Sequence, residues 1–144
     1  METRTLHRNI FQRLFGICAT RKPSHEACWT FEEGKILLDL GRTPELAVPG
    51  GAVRLEKNKG LPERVLIVHG DDGAFHAFRN RCSHAGRRLD PVPGMEQVQC
   101  CSIGRSTFDH EGTRLSGSAK GPVKTYGVRL EQGRLIVEVQ AQGA

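Results

Sequence analysis

No apolar run in this 144-residue sequence approaches the ~18 residues that a membrane-spanning helix requires, so a transmembrane segment is not expected. Aromatic residues are few, at 6%. They do not alternate with the basic residues, and the formal charge of +5 is scattered along the chain, so nucleic-acid recognition is not expected. Disulfides are also disfavoured: five cysteines, an odd number, cannot close a framework. Clustered Cys and His in a reducing compartment more often hold metal, and the expected location is cytoplasmic. No phosphate-binding loop, dinucleotide fingerprint or Ser-His-Asp arrangement is found. A secretory leader is not expected, because Arg4, Arg8 and Arg13 interrupt the apolar stretch near the start.

What is present divides into three stretches. Leu6, Ile10, Leu14 and Ile17 recur at helical spacing and predict an N-terminal helix over residues 1–23, stopped at Pro23. Its simplest role is to pack on the domain. Its arginines and single acid, Glu2, also suit an organelle-targeting segment or contact with a membrane surface. Residues 24–32 read as a polar connector holding Cys28 and Trp29, where an exposed thiol would be reactive.

Beyond Gly34 the period shortens to that of strands. Strands are expected at Lys35–Leu40, Gly51–Glu56, Arg64–His69, Ala74–Arg79, Glu96–Cys101, Lys124–Leu130 and Arg134–Gln140. Asp71-Asp72-Gly73 and Glu131-Gln132-Gly133 carry hairpin signals. Val65-Leu66-Ile67-Val68 is apolar on both faces, as suits a strand buried in the middle of a small sandwich or barrel. The expected fold is all-β, a small antiparallel sandwich or barrel with an N-terminal helix. Its organisation is an appendage over 1–33 and a domain over 34–140.

Two long connections, after Arg79 and after Cys101, hold the chemistry. Cys82-Ser83-His84 places a thiol and an imidazole on one tight loop. Sixteen intervening residues later comes Cys101, preceded by Cys100. Thiolates suit iron–sulfide cores because both are soft, and imidazole in their place lowers the negative charge and raises the potential.

These loops resemble those of the Rieske [2Fe–2S] family, which read Cys-x-His and Cys-Pro-x-His-Gly followed by Phe-Asp. Gly73-Ala74-Phe75-His76-Ala77-Phe78, Arg79-Asn80-Arg81-Cys82, Leu89-Asp90, Phe108-Asp109, Gly112, Ser116-Gly117-Ser118-Ala119, Pro122-Val123, Tyr126 and Val128 follow the family pattern in order. The resemblance implies that Cys82 and Cys101 bind one iron and His84 the other. It also implies an electron carrier of the soluble ferredoxin-like branch, an oxidoreductase component serving a redox protein partner rather than a stand-alone enzyme. The extra loop cysteines of the respiratory members are replaced by Arg87 and Ile103.

One position departs from the family. With Cys101 in register, the second histidine becomes Gly104; with Cys100 in register, it becomes Ile103. The fourth ligand stays open between Cys100, His110 and an outside ligand. A Zn²⁺ site or a scaffold without a cluster are further alternatives. Without a cluster the chain would be a binding or regulatory module of a redox enzyme. With a small ligand on an open iron it would be an enzyme or sensor. His69 and His76 read as structural or surface residues, and His7 and His25 have no evident partner. Cys18 reads as a buried apolar residue.

Arg87, Arg88 and Arg105 lie on the two loops. A guanidinium near a cluster offsets its negative charge and favours the reduced state. Neutralising Arg105 is therefore expected to lower the potential of a bound cluster in a redox titration. An unchanged or raised potential would rule that role out.

Overall fold

A computed structural model of the chain describes residues 19–82, 86–92, 94–101, 106–117, 119 and 121–140. The expected N-terminal helix falls largely outside them. Residues 19–23, which are described, form no helical turn.

Among the described residues eleven strands form two antiparallel sheets. They are β1 (Trp29–Glu32), β2 (Lys35–Asp39), β3 (Ala52–Leu55), β4 (Val65–His69), β5 (Phe75–Arg79), β6 (Leu89–Val92), β7 (Gln97–Cys100), β8 (Thr107–Asp109), β9 (Arg114–Ser116), β10 (Thr125–Glu131) and β11 (Arg134–Glu138). The larger sheet runs β1-β2-β11-β10-β5-β4-β3 and the smaller β6-β7-β8-β9. Both hairpin signals hold. Gly73 closes the β4–β5 turn with its N–H on the Gly70 carbonyl, 3.0 Å away. At β10–β11, Gln132 and Gly133 take φ of 52° and 78°, the pair of positive values that a two-residue hairpin turn requires.

The double-sided apolar run of β4 explains how the sheets meet. Val65 and Ile67 pack into one core with Ile36, Leu38, Val53, Leu135 and Val137. Leu66 and Val68 point the other way, into a second core with Phe78, Leu89, Val98 and Phe108. Alternate residues of a strand face opposite sides, so β4 can be buried throughout only if both faces are covered. The small sheet supplies the second cover.

The stretch read as a connector is built into the fold. Cys28 and Trp29 are each 2% exposed and belong to the first core, so Cys28 is a packing residue and not a reactive loop thiol. Trp29 starts β1, pairs with Leu38 of β2, and carries the Lys59 ammonium 4.5 Å from its ring centre.

Phe78→Ala would open the second core, and a loss of about 3–5 kcal/mol in urea unfolding is expected. Leu130→Ala, on a side chain 59% exposed, should stay within about 0.5 kcal/mol of the parent.

Candidate metal centre and its surroundings

The first cysteine loop leaves the end of β5 and returns into β6; the second joins β7 to β8. Because β6 pairs with β7, with Leu89 opposite Cys100, both loops emerge at the same end of the small sheet. The Cys82 N–H donates to the Arg87 carbonyl at 2.7 Å, closing the first loop on itself. The Cys101 N–H donates to the Arg88 carbonyl at 2.9 Å, tying the second loop to the first. The Asn80 side-chain carbonyl accepts from the Leu89 N–H at 2.7 Å, fixing where the first loop re-enters the sheet. The second loop is held beyond its turn: Ser106 Oγ accepts from the Ala119 N–H at 2.9 Å. Gly117 lies against the Ser106 backbone, where an added Cβ would sit 2.3 Å from Cα.

Cys82, Cys100 and Cys101 are all buried, at 1–2% exposure. They do not share one surrounding. Cys82 and Cys100 pack into the second core with Leu89 and Phe108. Cys101 follows Cys100 in the chain, and its Sγ lies 3.4 Å from Asp90 Oδ2, to which it donates. Asp90 is itself 2% exposed. Its carboxylate accepts from the Ala19 N–H and the Thr20 N–H, each at 2.8 Å, and from Thr20 Oγ1 at 2.6 Å. Arg54 continues this clamp, with Nε on the Thr20 carbonyl at 2.9 Å. Residues 19–21 are thus pinned beside the second loop, a role for Asp90 that its sequence position did not announce.

His84, Gly104 and Arg105 lie outside the described residues. His110 follows β8 and stands at the end of that strand away from the second loop, as expected for a residue beyond Phe108-Asp109. Its ring stacks on His76 with centres 4.0 Å apart. Burial, then the charge of His76, hold the His110 pKa below the ordinary imidazole value, against the pull of Asp72, Glu96 and Glu111. His69 is structural: its Nδ1 is 2.9 Å from the Leu46 carbonyl and its ring stacks on Phe75.

Of the loop arginines, Arg88 is paired with Glu56, which also meets Arg54 at 2.9 Å. Burial alone would raise the Glu56 pKa, but the hydrogen bond and charge of Arg88, with Arg54 and Arg64, hold it below the usual carboxylate value. Arg88 therefore spends its charge on Glu56 and on anchoring the loop end. Arg87 is exposed.

Three buried thiols on two neighbouring loops, together with the His84 imidazole given by the sequence, have the chemistry of an iron–sulfur donor set. The structure does not bring the three sulfurs together: among the described residues, the His, Cys and acidic side chains whose ligand atoms converge are Asp72, His76 and His110. Ligation by both Cys100 and Cys101 needs a local change of direction, because the two face opposite ways.

The profile of the Rieske [2Fe-2S] domain matches residues 37–127. The cytochrome b6-f complex iron-sulfur subunit of Chlorobaculum tepidum is 26% identical over 106 residues, which are 73% of this chain and 56% of that protein. The chain therefore spans little more than half of that relative's length. The ferredoxin of carbazole 1,9a-dioxygenase from Nocardioides aromaticivorans IC177 superposes with a TM-score of 0.54 at 25% identity, covering 65% of this chain and 88% of that one. A quaternary ammonium Rieske monooxygenase of carnitine oxidation by gut microbiota shares the fold, with a TM-score of 0.53 at 20% identity over 69% of this chain and 30% of its own. Among the described residues no helix is long and apolar enough to cross a membrane.

Asp90→Ala would leave two backbone donors and a hydroxyl without their acceptor, at a cost of about 1–3 kcal/mol. Limited proteolysis is expected to cut near Ala19–Thr20 faster in this variant than in the parent, and Cys101 to react faster with a thiol reagent. Parental rates for both would remove Asp90 from this role.

Proposed function

This chain belongs to the Rieske [2Fe–2S] domain family, and from that premise we propose that it is an iron–sulfur electron carrier serving a redox protein partner. The acting unit is residues 34–140, with 1–33 as its appendage. Cys82, His84 and Cys101 would hold the cluster, with Cys100 as the fourth donor in place of the absent histidine. The cluster's chemistry, when bound, is the reversible uptake of one electron. Cys82, Cys100 and Cys101 would present their thiolates to it from buried positions and contribute to its net charge. The supporting observation is the clasp between the loops: the Cys101 N–H on the Arg88 carbonyl and the β6–β7 strand pair hold the buried Cys82 and Cys101 loops at one end of the small sheet.

Replacing an imidazole by a thiolate adds negative charge to the cluster and lowers its potential relative to a two-histidine centre. A carrier of this kind would serve a lower-potential step than its two-histidine relatives.

A second reading is favoured by the contact of Cys101 with Asp90. A thiol engaged with a buried carboxylate, beside a clamped N-terminal segment, suits a scaffold that keeps the fold for docking to a redox enzyme without carrying electrons.

Anaerobic purification with metal and sulfide analysis separates the two. The carrier is expected to contain about two irons and two sulfides per chain, as a [2Fe–2S] centre requires. Its reduced form should give an electron paramagnetic resonance signal, with most of the iron lost in Cys82→Ala and Cys101→Ala. A colourless, iron-free protein would overturn the carrier and leave the docking module.

A further inference from the structure

The two sheets also meet at the opposite pole from the cysteine loops. Cys82 follows the end of β5, whereas His76 lies near its beginning; the second loop enters β8, whereas His110 lies just beyond its end. His76, on β5 of the large sheet, and His110, in the turn after β8 of the small sheet, are far apart in sequence, yet their rings stack at 4.0 Å. Asp72, in the β4–β5 turn, completes the group: its Oδ2 is 3.2 Å from His76 Nε2. One potential ligand atom from each of Asp72, His76 and His110 lies within 4.8 Å of the other two.

We propose that Asp72, His76 and His110 form a second metal site, for a divalent transition ion of the zinc type, clipping the β4–β5 turn to the β8–β9 turn.

The chemistry selects the ion class. Two imidazoles and one carboxylate suit zinc and the neighbouring transition metals. Calcium and magnesium, which take oxygen ligands, fit such a set poorly. The approach is open: the three residues line a cleft of about 250 Å³ whose other walls include Glu96, Asp109 and Glu111. These carboxylates make the entrance attractive to a cation. Asp109 is committed to its own turn, its Oδ1 accepting from the Glu111 and Thr113 N–H groups at 3.0 and 2.8 Å. Asp72 Oδ1 is engaged in the same way by the Ala74 N–H at 3.0 Å, which fixes the carboxylate and leaves Oδ2 toward the imidazole.

A three-residue set leaves a coordination position for water or for the neighbouring Glu96, which lines the same cleft. Such a clip would hold the sheets together where the cysteine loops do not reach. The site stands apart from the iron–sulfur reading and does not depend on it.

The test is titration of the full-length protein, as isolated, with Co²⁺. The parent is expected to bind one equivalent with ligand-field bands and no added sulfur-to-cobalt charge transfer. His76→Asn and His110→Asn, each first shown by circular dichroism to be folded, should weaken that binding at least tenfold, and His25→Asn, on an exposed histidine elsewhere, should leave it unchanged. Zn²⁺ should raise the midpoint of thermal unfolding of the parent and not of the two variants. Binding seen only with sulfur charge transfer, binding that survives both substitutions, or equal loss in His25→Asn would overturn the site.

Discussion

Burial of β4 on both of its faces is the constraint from which the rest of the structure follows. A strand with Val65, Leu66, Ile67 and Val68 in succession cannot lie at the surface of a sheet, because one half of its side chains would then face water. The large sheet covers Val65 and Ile67; the four-stranded sheet must come down on Leu66 and Val68. Once seated there through Leu89, Val98 and Phe108, the small sheet has its two poles fixed. One carries the two cysteine loops, and the other carries the turn that bears His110. The positions of the candidate ligands are thus consequences of apolar packing, with hydrogen bonds refining them.

How much of this was readable follows from the range of the interactions. β4, β5 and the β10–β11 hairpin were legible because their signals are local: a run of apolar residues, or a turn that needs positive φ. The family was legible for the same reason, since the pattern that carries the resemblance, from Gly73 to Val128, stands in order along the chain. β6 was hidden by Pro91 within it, and β8 and β9 are three residues each, with β9 exposed throughout. Such strands exist because partners hold them and carry little propensity of their own. β1 was lost for a related reason: Trp29 and Cys28 look like loop residues until β2 and Lys59 close over them. The pairing of His76 with His110 was equally out of reach, because it joins two sheets.

Asp90 shows how a second layer of polar contacts is added. It lies on β6 between the apolar core and residues 19–20, and it gathers the N-terminal segment and the Cys101 thiol onto one carboxylate. Burying a carboxylate is costly unless its lone pairs are satisfied, and here four donors satisfy them. Arg88 and Glu56 play the corresponding part on the other loop. The second loop is therefore held at both of its described ends, at Cys101 and at Ser106.

The most direct measurement is iron K-edge X-ray absorption on protein loaded with iron and sulfide under anaerobic conditions, for the parent and for Cys100→Ala. The account predicts a first shell dominated by sulfur, with a single imidazole's scattering, and a loss of sulfur in Cys100→Ala. A shell with two imidazoles, or with light atoms alone, would contradict it.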